Sequence, residues 1–222
     1  MSKRISHSFL DPLIGPKLKA LYPLLAISPR FPPEGIVGVG HLFAIIGGLG
    51  FAFSTQYWWG GLLAMLGIVG NHTCDCIDGT HARATGQCRN GGELLDHFTD
   101  PLSFTYWLVG IGFSVDRTDL TLVAVICLLL LAILVNIKAK LIGEFTLNRF
   151  GPTEFKTLLC CFGLVLAILS SVNVFEVHDF AKWGLVTLVA FGICQVPYQL
   201  VRAVREVNLR GGQPDDTEWI TK

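Results

Sequence analysis

Four aspartates, Asp75, Asp78, Asp96 and Asp100, fall within residues 75–100 of a chain that is otherwise oily. Asp75 and Asp78 are spaced i,i+3, and Asp96 and Asp100 i,i+4, so on helices each pair would share one face. Two such faces set opposite each other would bring four carboxylates together. Acidic groups are costly at membrane depth unless something compensates them, and the compensator this set calls for is a divalent metal ion. Carboxylate oxygens are hard ligands that suit Mg²⁺ or Mn²⁺. Cys74 and Cys76 lie beside them, but C-x-C alternates faces and lacks a second pair, which argues against zinc. Gly79 follows Asp78 directly and Gly92 precedes Asp96 by one turn, leaving room for a substrate; Arg83 adds a fixed cation for a phosphate oxygen. Metal, arginine and clearance together point to diphosphate chemistry, because bridging metals stabilise both attacking and leaving oxygens. The plainer reading, loop acids paired with Arg83, Arg89 and His97, accounts for one pair but not for the whole spaced set.

These residues need helices to position them, and the composition indicates which kind. Of 222 residues 51% are hydrophobic and only 15% charged, against about 25% charged in a soluble domain, so the chain reads as an integral membrane protein. Runs of about 20 mostly apolar residues can span a bilayer. Six are expected, near 35–54, 57–77, 93–115, 119–141, 153–172 and 180–204. Glycines at 38, 40, 47, 48 and 50 in the first, and at 60, 61, 67 and 70 in the second, imply close helix contacts. With both termini on one side, Arg117 and Lys182 alone of the 17 lysines and arginines fall on the other. The positive-inside rule then puts the termini and the aspartates in the cytoplasm, of a cell inner membrane or an endoplasmic reticulum. Residues 8–27 place Phe9, Leu10, Leu13, Ile14, Leu18, Leu21 and Tyr22 near helical spacing opposite Lys17 and Lys19, the pattern of an interfacial helix or of a tail packed on the bundle. The fold expected is thus all-α, a single membrane domain over residues 1–210, followed by a flexible tail at 211–222. Seven cysteines, an odd number mostly within apolar runs, read as reduced space-filling thiols. No cleavable signal peptide is evident, and nothing points to nucleic acid.

The run from Asp75 to Asp100 has the form D-x2-D-G-x2-A-R-x8-G-x3-D-x3-D. It resembles, at every defined position, the motif of the CDP-alcohol phosphotransferase family. That resemblance implies a membrane enzyme, acting as a homodimer, that transfers a phosphoalcohol from a CDP-alcohol to a lipid or alcohol acceptor hydroxyl and releases CMP. It implies two divalent ions held by Asp75, Asp78 and Asp96, with Asp100 as ligand or general base. Gly79, Ala82, Arg83 and Gly92 would contact the cytidine diphosphate. Two further stretches, Gly92-Glu93-Leu94-Leu95-Asp96-His97 and Gly151-Pro152-Thr153-Glu154, are similar to the choline/ethanolamine branch, where a histidine–glutamate pair has been proposed as the base. His97 and Glu154 match those positions. A neutral imidazole can accept a proton near neutral pH while a carboxylate orients it; equally, His97 could be a partner of Asp96 or Asp100, and Glu154 an acid satisfying a helix N-terminus.

Other readings stay open at this stage. Related enzymes join CDP-diacylglycerol to small polar alcohols, and a phosphorylated acceptor would need a basic pocket. Lys138, Lys140, Arg149, Lys156, Arg202 and Arg205 could form one, although helix-end anchors are the simpler account. His72 and His81 read as polar lining, and His7, His41 and His178 as non-catalytic. An aspartate-rich prenyltransferase would carry two separated acidic motifs, and only one compact set is present. A divalent-cation transporter would place its acids at mid-membrane on broken helices, whereas these lie at the margin.

Overall fold

The computed structural model describes residues 3–172 and 176–213. Strand β1 (Lys3–Ser6) leads into helix α1 (Asp11–Lys19), which carries Pro12 in its first turn. A single 3-10 turn at Tyr22–Leu25 follows and ends at Ala26 in the left-handed region, φ 46°. The expected interfacial helix at 8–27 is therefore shorter and broken. Pro23 lacks the N–H that would continue it.

Six long helices come next, each bounded by the breaker its sequence supplies. Helix α2 (Pro33–Ala52) starts on a proline, whose missing donor costs nothing in a first turn. Helix α3 (Trp58–Thr85) stops at Gly86, which adopts φ 70° and returns its N–H to the Ala82 carbonyl. Helix α4 (Asn90–Ser114) begins only four residues later. Helix α5 (Thr118–Ile142) stops at Gly143 in the same left-handed way, φ 77°. Strand β2 (Glu144–Leu147), α6 (Pro152–Val172) and α7 (Val177–Arg210) complete the order. All six long helices overlap the runs expected to be apolar spans. By length and apolarity four of them, α2, α5, α6 and α7, qualify to cross a membrane; α3 and α4 have the length but carry the acids of the site.

Two features depart from the sequence reading. Strands β1 and β2 form a parallel two-stranded sheet, Lys3 opposite Glu144 and Ser6 opposite Leu147, in a chain otherwise built of helices. Each strand is four residues long and its partner lies far away in sequence, so no local period announces it. Helix α3 also runs on past residue 77 to Thr85, which keeps Asp75, Asp78, Ala82 and Arg83 on one continuous helix. Of the tail expected to be flexible from Gly211, residues 214–222 lie outside the described residues.

Helix α2 packs on α3 and α4, α6 packs on α3, and α5 packs on α7. Trp107 of α4 is fully buried at the centre and donates its indole N–H to the Ala44 carbonyl of α2, 3.0 Å away. Small residues permit the close contacts: a Cβ on Gly67 would strike the backbone of Gly47, and one on Gly61 the carbonyl of Gly163. Large apolar side chains such as Phe113, Leu122, Ile133, Ile168 and Trp183 point outward instead, as lipid surroundings allow. All seven cysteines are free.

Candidate active site

The four aspartates stand on two consecutive helices joined by the short link 86–89, both packed on α2. Helix α3 presents Asp75 and Asp78, and α4 presents Asp96 and Asp100. One carboxylate oxygen from each of Asp75, Asp96 and Asp100 lies within 4.8 Å of the other two. Asp78 is buried, accepts the backbone N–H of Gly79, and lines the same small cavity of about 20 Å³ as the other three acids. Cys74 also lines this cavity, but the oxygens that converge are all carboxylate, a donor set that fits a hard divalent ion such as Mg²⁺ or Mn²⁺.

A cation from a further helix joins the acids. Lys156 of α6 is 1% exposed, and its Nζ lies 2.7 Å from Asp75 Oδ2 and 3.1 Å from Asp100 Oδ1. The same ammonium lies 5.7 Å from the centre of the Phe104 ring. The sequence left Lys156 between a basic pocket beside the site and a helix-end anchor, with the anchor the simpler account; the structure sets it against the acids. The sequence carried no distinct signal for this: Lys156 lies in the first turns of α6, before the apolar run that opens at Leu158, as a helix-end anchor would.

Around this core the other expected residues take distinct places. Arg83 folds over Gly79, where an added Cβ would sit 3.2 Å from its Nη1. Gly92 is open, with only Glu34 Oε1 at 4.0 Å from the position of an added Cβ. Ala82 lies one turn beyond Asp78 on α3. Gly79, Ala82, Arg83 and Gly92 therefore cluster at the same end of the α3–α4 pair as the acids. His72 lies one turn before Asp75, its Nδ1 3.6 Å from Asp75 Oδ2, in keeping with polar lining. His81 is fully buried between the Tyr22 hydroxyl and the Phe31 carbonyl, each 2.9 Å from a ring nitrogen, and ties the N-terminal segment to α3.

His97 and Glu154 belong to different surroundings. The His97 ring stacks on Phe145 of β2, centroids 4.7 Å apart. Glu154 holds the N-terminal segment. Its Oε1 accepts from Ser8 Oγ at 2.5 Å, Phe9 N at 2.9 Å and Leu10 N at 3.1 Å, while Oε2 accepts from Gly151 N at 2.8 Å. Both oxygens are thus occupied, Oε1 by donors of the N-terminal segment and Oε2 by the residue just before α6.

Next to the acids opens a chamber of about 860 Å³, walled by α4, α5, β2, the start of α6 and α7. Asp100 and His97 lie in its wall, Phe104, Leu128, Leu131 and Leu188 make it apolar, and Asn148, Gln199, Arg149 and Arg202 give it a polar rim. Lys138 in the same wall pairs with Glu206 at 3.1 Å. Asp100 lines both the small cavity and the chamber, so it marks where the two meet.

Comparison with known proteins bears on the whole of this arrangement. A family model described as CDP-alcohol phosphatidyltransferase matches residues 36–194, which contain all four aspartates and Lys156. A stretch of 58 residues is 41% identical to cholinephosphotransferase 1 of Bos taurus, covering 26% of this chain and 14% of that protein. The same length is 40% identical to cholinephosphotransferase 1 of Rattus norvegicus and of Mus musculus, covering 15% of each. The chain thus matches only a small part of the length of these relatives.

Proposed function

The chain belongs to the CDP-alcohol phosphatidyltransferase family, and from that premise we propose that this membrane transferase moves a phosphoalcohol from a CDP-alcohol of the choline or ethanolamine type to the hydroxyl of a lipid such as diacylglycerol, releasing CMP. The observation that carries the proposal is the shared wall at Asp100: three convergent carboxylates open directly beside a large apolar chamber. A lipid acceptor lying in that chamber would have its hydroxyl within reach of the acids. The local likeness to the cholinephosphotransferases favours the same choice of donor.

In this reading Asp75, Asp78, Asp96 and Asp100 hold two divalent ions, Mg²⁺ or Mn²⁺. When bound, such ions offset the charge of a diphosphate and stabilise its attacking and leaving oxygens. The chain itself does the rest. Gly79 and Gly92 leave room for the cytidine diphosphate, and Arg83 donates to a phosphate oxygen. Asp100 or His97, both in the chamber wall, accepts the proton of the acceptor hydroxyl as its oxygen attacks the β-phosphorus. Six membrane crossings, with the acid end cytoplasmic, complete the proposal and rest on the distribution of lysine and arginine.

Purified protein given CDP-choline, CDP-ethanolamine or CDP-diacylglycerol, each with diacylglycerol or small polar alcohols, tests the reading by metal-dependent CMP release. Release with CDP-choline or CDP-ethanolamine and diacylglycerol is expected. Release only with CDP-diacylglycerol and a small alcohol would mean that the chamber holds the acyl chains of the donor instead. Metal uptake into vesicles without CMP release would make the protein a transporter.

Three variants probe the roles. Ala132→Trp fills the chamber and is expected to raise the KM for diacylglycerol about tenfold, leaving the KM for the CDP-alcohol within about twofold. Equal effects on both substrates would separate the chamber from the acceptor. For the base, His97→Ala and Asp100→Asn should be compared after Mn²⁺ binding is confirmed in each. The residue that takes the proton costs about a hundredfold or more in turnover when replaced, and turnover retained in His97→Ala excludes the histidine.

A further inference from the structure

Lys156 has no part in the motif, yet among the described residues it is the most deeply buried lysine, arginine or acid. Asp75, Asp96 and Asp100, each half-buried, bring oxygens within 4.8 Å of one another, and carboxylates that close repel one another. Among the described residues, no other lysine or arginine pairs with any of the four aspartates. The Lys156 ammonium reaches oxygens of Asp75 and Asp100, the first on α3 and the second on α4, from a third helix, α6. It is therefore a single positive charge that holds the two acid-bearing helices together.

The oxygens it holds are among those a divalent ion would take. We propose that Lys156 is a resident counter-ion which keeps the acid cluster assembled without metal, and which an arriving divalent ion displaces from Asp75 and Asp100. The lysine thereby sets the metal affinity of the site. This rests on the reading of the aspartates as metal ligands. Its physical basis is competition: an ammonium tethered to the helix occupies the ligand oxygens, so each binding event must first undo two charge-assisted hydrogen bonds. Such a site loads metal less tightly than the bare acids would. In return, the half-buried carboxylates are never left crowded without a counter-charge, and the buried ammonium is never left without its partners.

The test uses the full-length protein in detergent. Mn²⁺ binding is followed by electron paramagnetic resonance, and thermal unfolding is followed in EDTA and at saturating Mn²⁺. Lys156→Met and Lys156→Gln are expected to tighten the Mn²⁺ Kd at least about tenfold, because the competing charge is gone. In EDTA both variants should unfold at least about 5 °C below the wild type, and at saturating Mn²⁺ that gap should close. Lys156→Arg keeps the charge and should stay near the wild type in both respects. A lysine that merely supports the fold would lower unfolding temperatures equally with and without metal, and that result, or an unchanged or weaker Kd, overturns the proposal. If the neutral variants cannot be purified in EDTA, recovery in Mn²⁺ supports the counter-ion role and failure to recover refutes it. Absence of Mn²⁺ binding by the wild type would remove the metal reading first, which distinguishes the two failures.

Discussion

Asp96→Ala is expected to reduce metal-dependent CMP release by at least about a thousandfold, on the order of 4 kcal/mol of transition-state stabilisation, with little change in unfolding temperature. The reason for choosing Asp96 lies in the packing. Asp75 and Asp100 are pinned by Lys156, so truncating either leaves a buried ammonium short of a partner. Asp96 contributes an oxygen to the same three-carboxylate cluster without pairing to that lysine. Its removal takes away a ligand while the Asp75–Lys156–Asp100 bridge between α3, α6 and α4 remains. Mn²⁺ binding and CMP release are measured on the same preparation. Wild-type turnover in this variant would refute the metal assignment, whatever the other acids do.

Glu154 is the second test, and here the structure changes the question. Its carboxylate accepts four hydrogen bonds, three from the N-terminal segment at Ser8, Phe9 and Leu10 and one from Gly151. Glu154→Ala leaves those donors without their acceptor in a buried position and is expected to cost about 3 kcal/mol. The loss should appear as faster proteolysis and faster hydrogen exchange in residues 5–20. Glu154→Gln keeps one acceptor oxygen and should hold the segment largely in place. The two roles then part. A latch predicts turnover within about fivefold of wild type in Glu154→Gln, whereas a glutamate that orients the base predicts a loss of about a hundredfold or more. Normal proteolytic protection combined with that larger loss would return Glu154 to the chemistry.

Much of the site was legible before any coordinates. Asp75 and Asp78, and Asp96 and Asp100, are spaced so that helical geometry alone puts each pair on one face, and the structure brings three of the four within 4.8 Å. Gly86 and Gly143 end their helices in the left-handed region that favours glycine; the sequence reading came within a residue of the second stop but ended the first of these helices too early, at 77. The parallel pairing of β1 with β2 was not legible, because four-residue strands leave no periodic trace and their partners are brought together by the bundle. Nor was the division of the N-terminal helix, where Pro23 acts on a short segment whose amphipathic pattern continues past it.

The chain by itself determined a helical membrane protein, the face on which each pair of acids lies, and, through the long motif from Asp75 to Asp100, the family to which it belongs. These are properties of spacing along single helices, which the period of 3.6 residues converts directly into direction. Only the tertiary structure decided what compensates the acids and what occupies Glu154. Lys156 lies 81 residues from Asp75 and 56 from Asp100, and Ser8 lies 146 from Glu154. At such separations the partner of a charge is chosen by how helices pack against one another, and no local pattern encodes that choice.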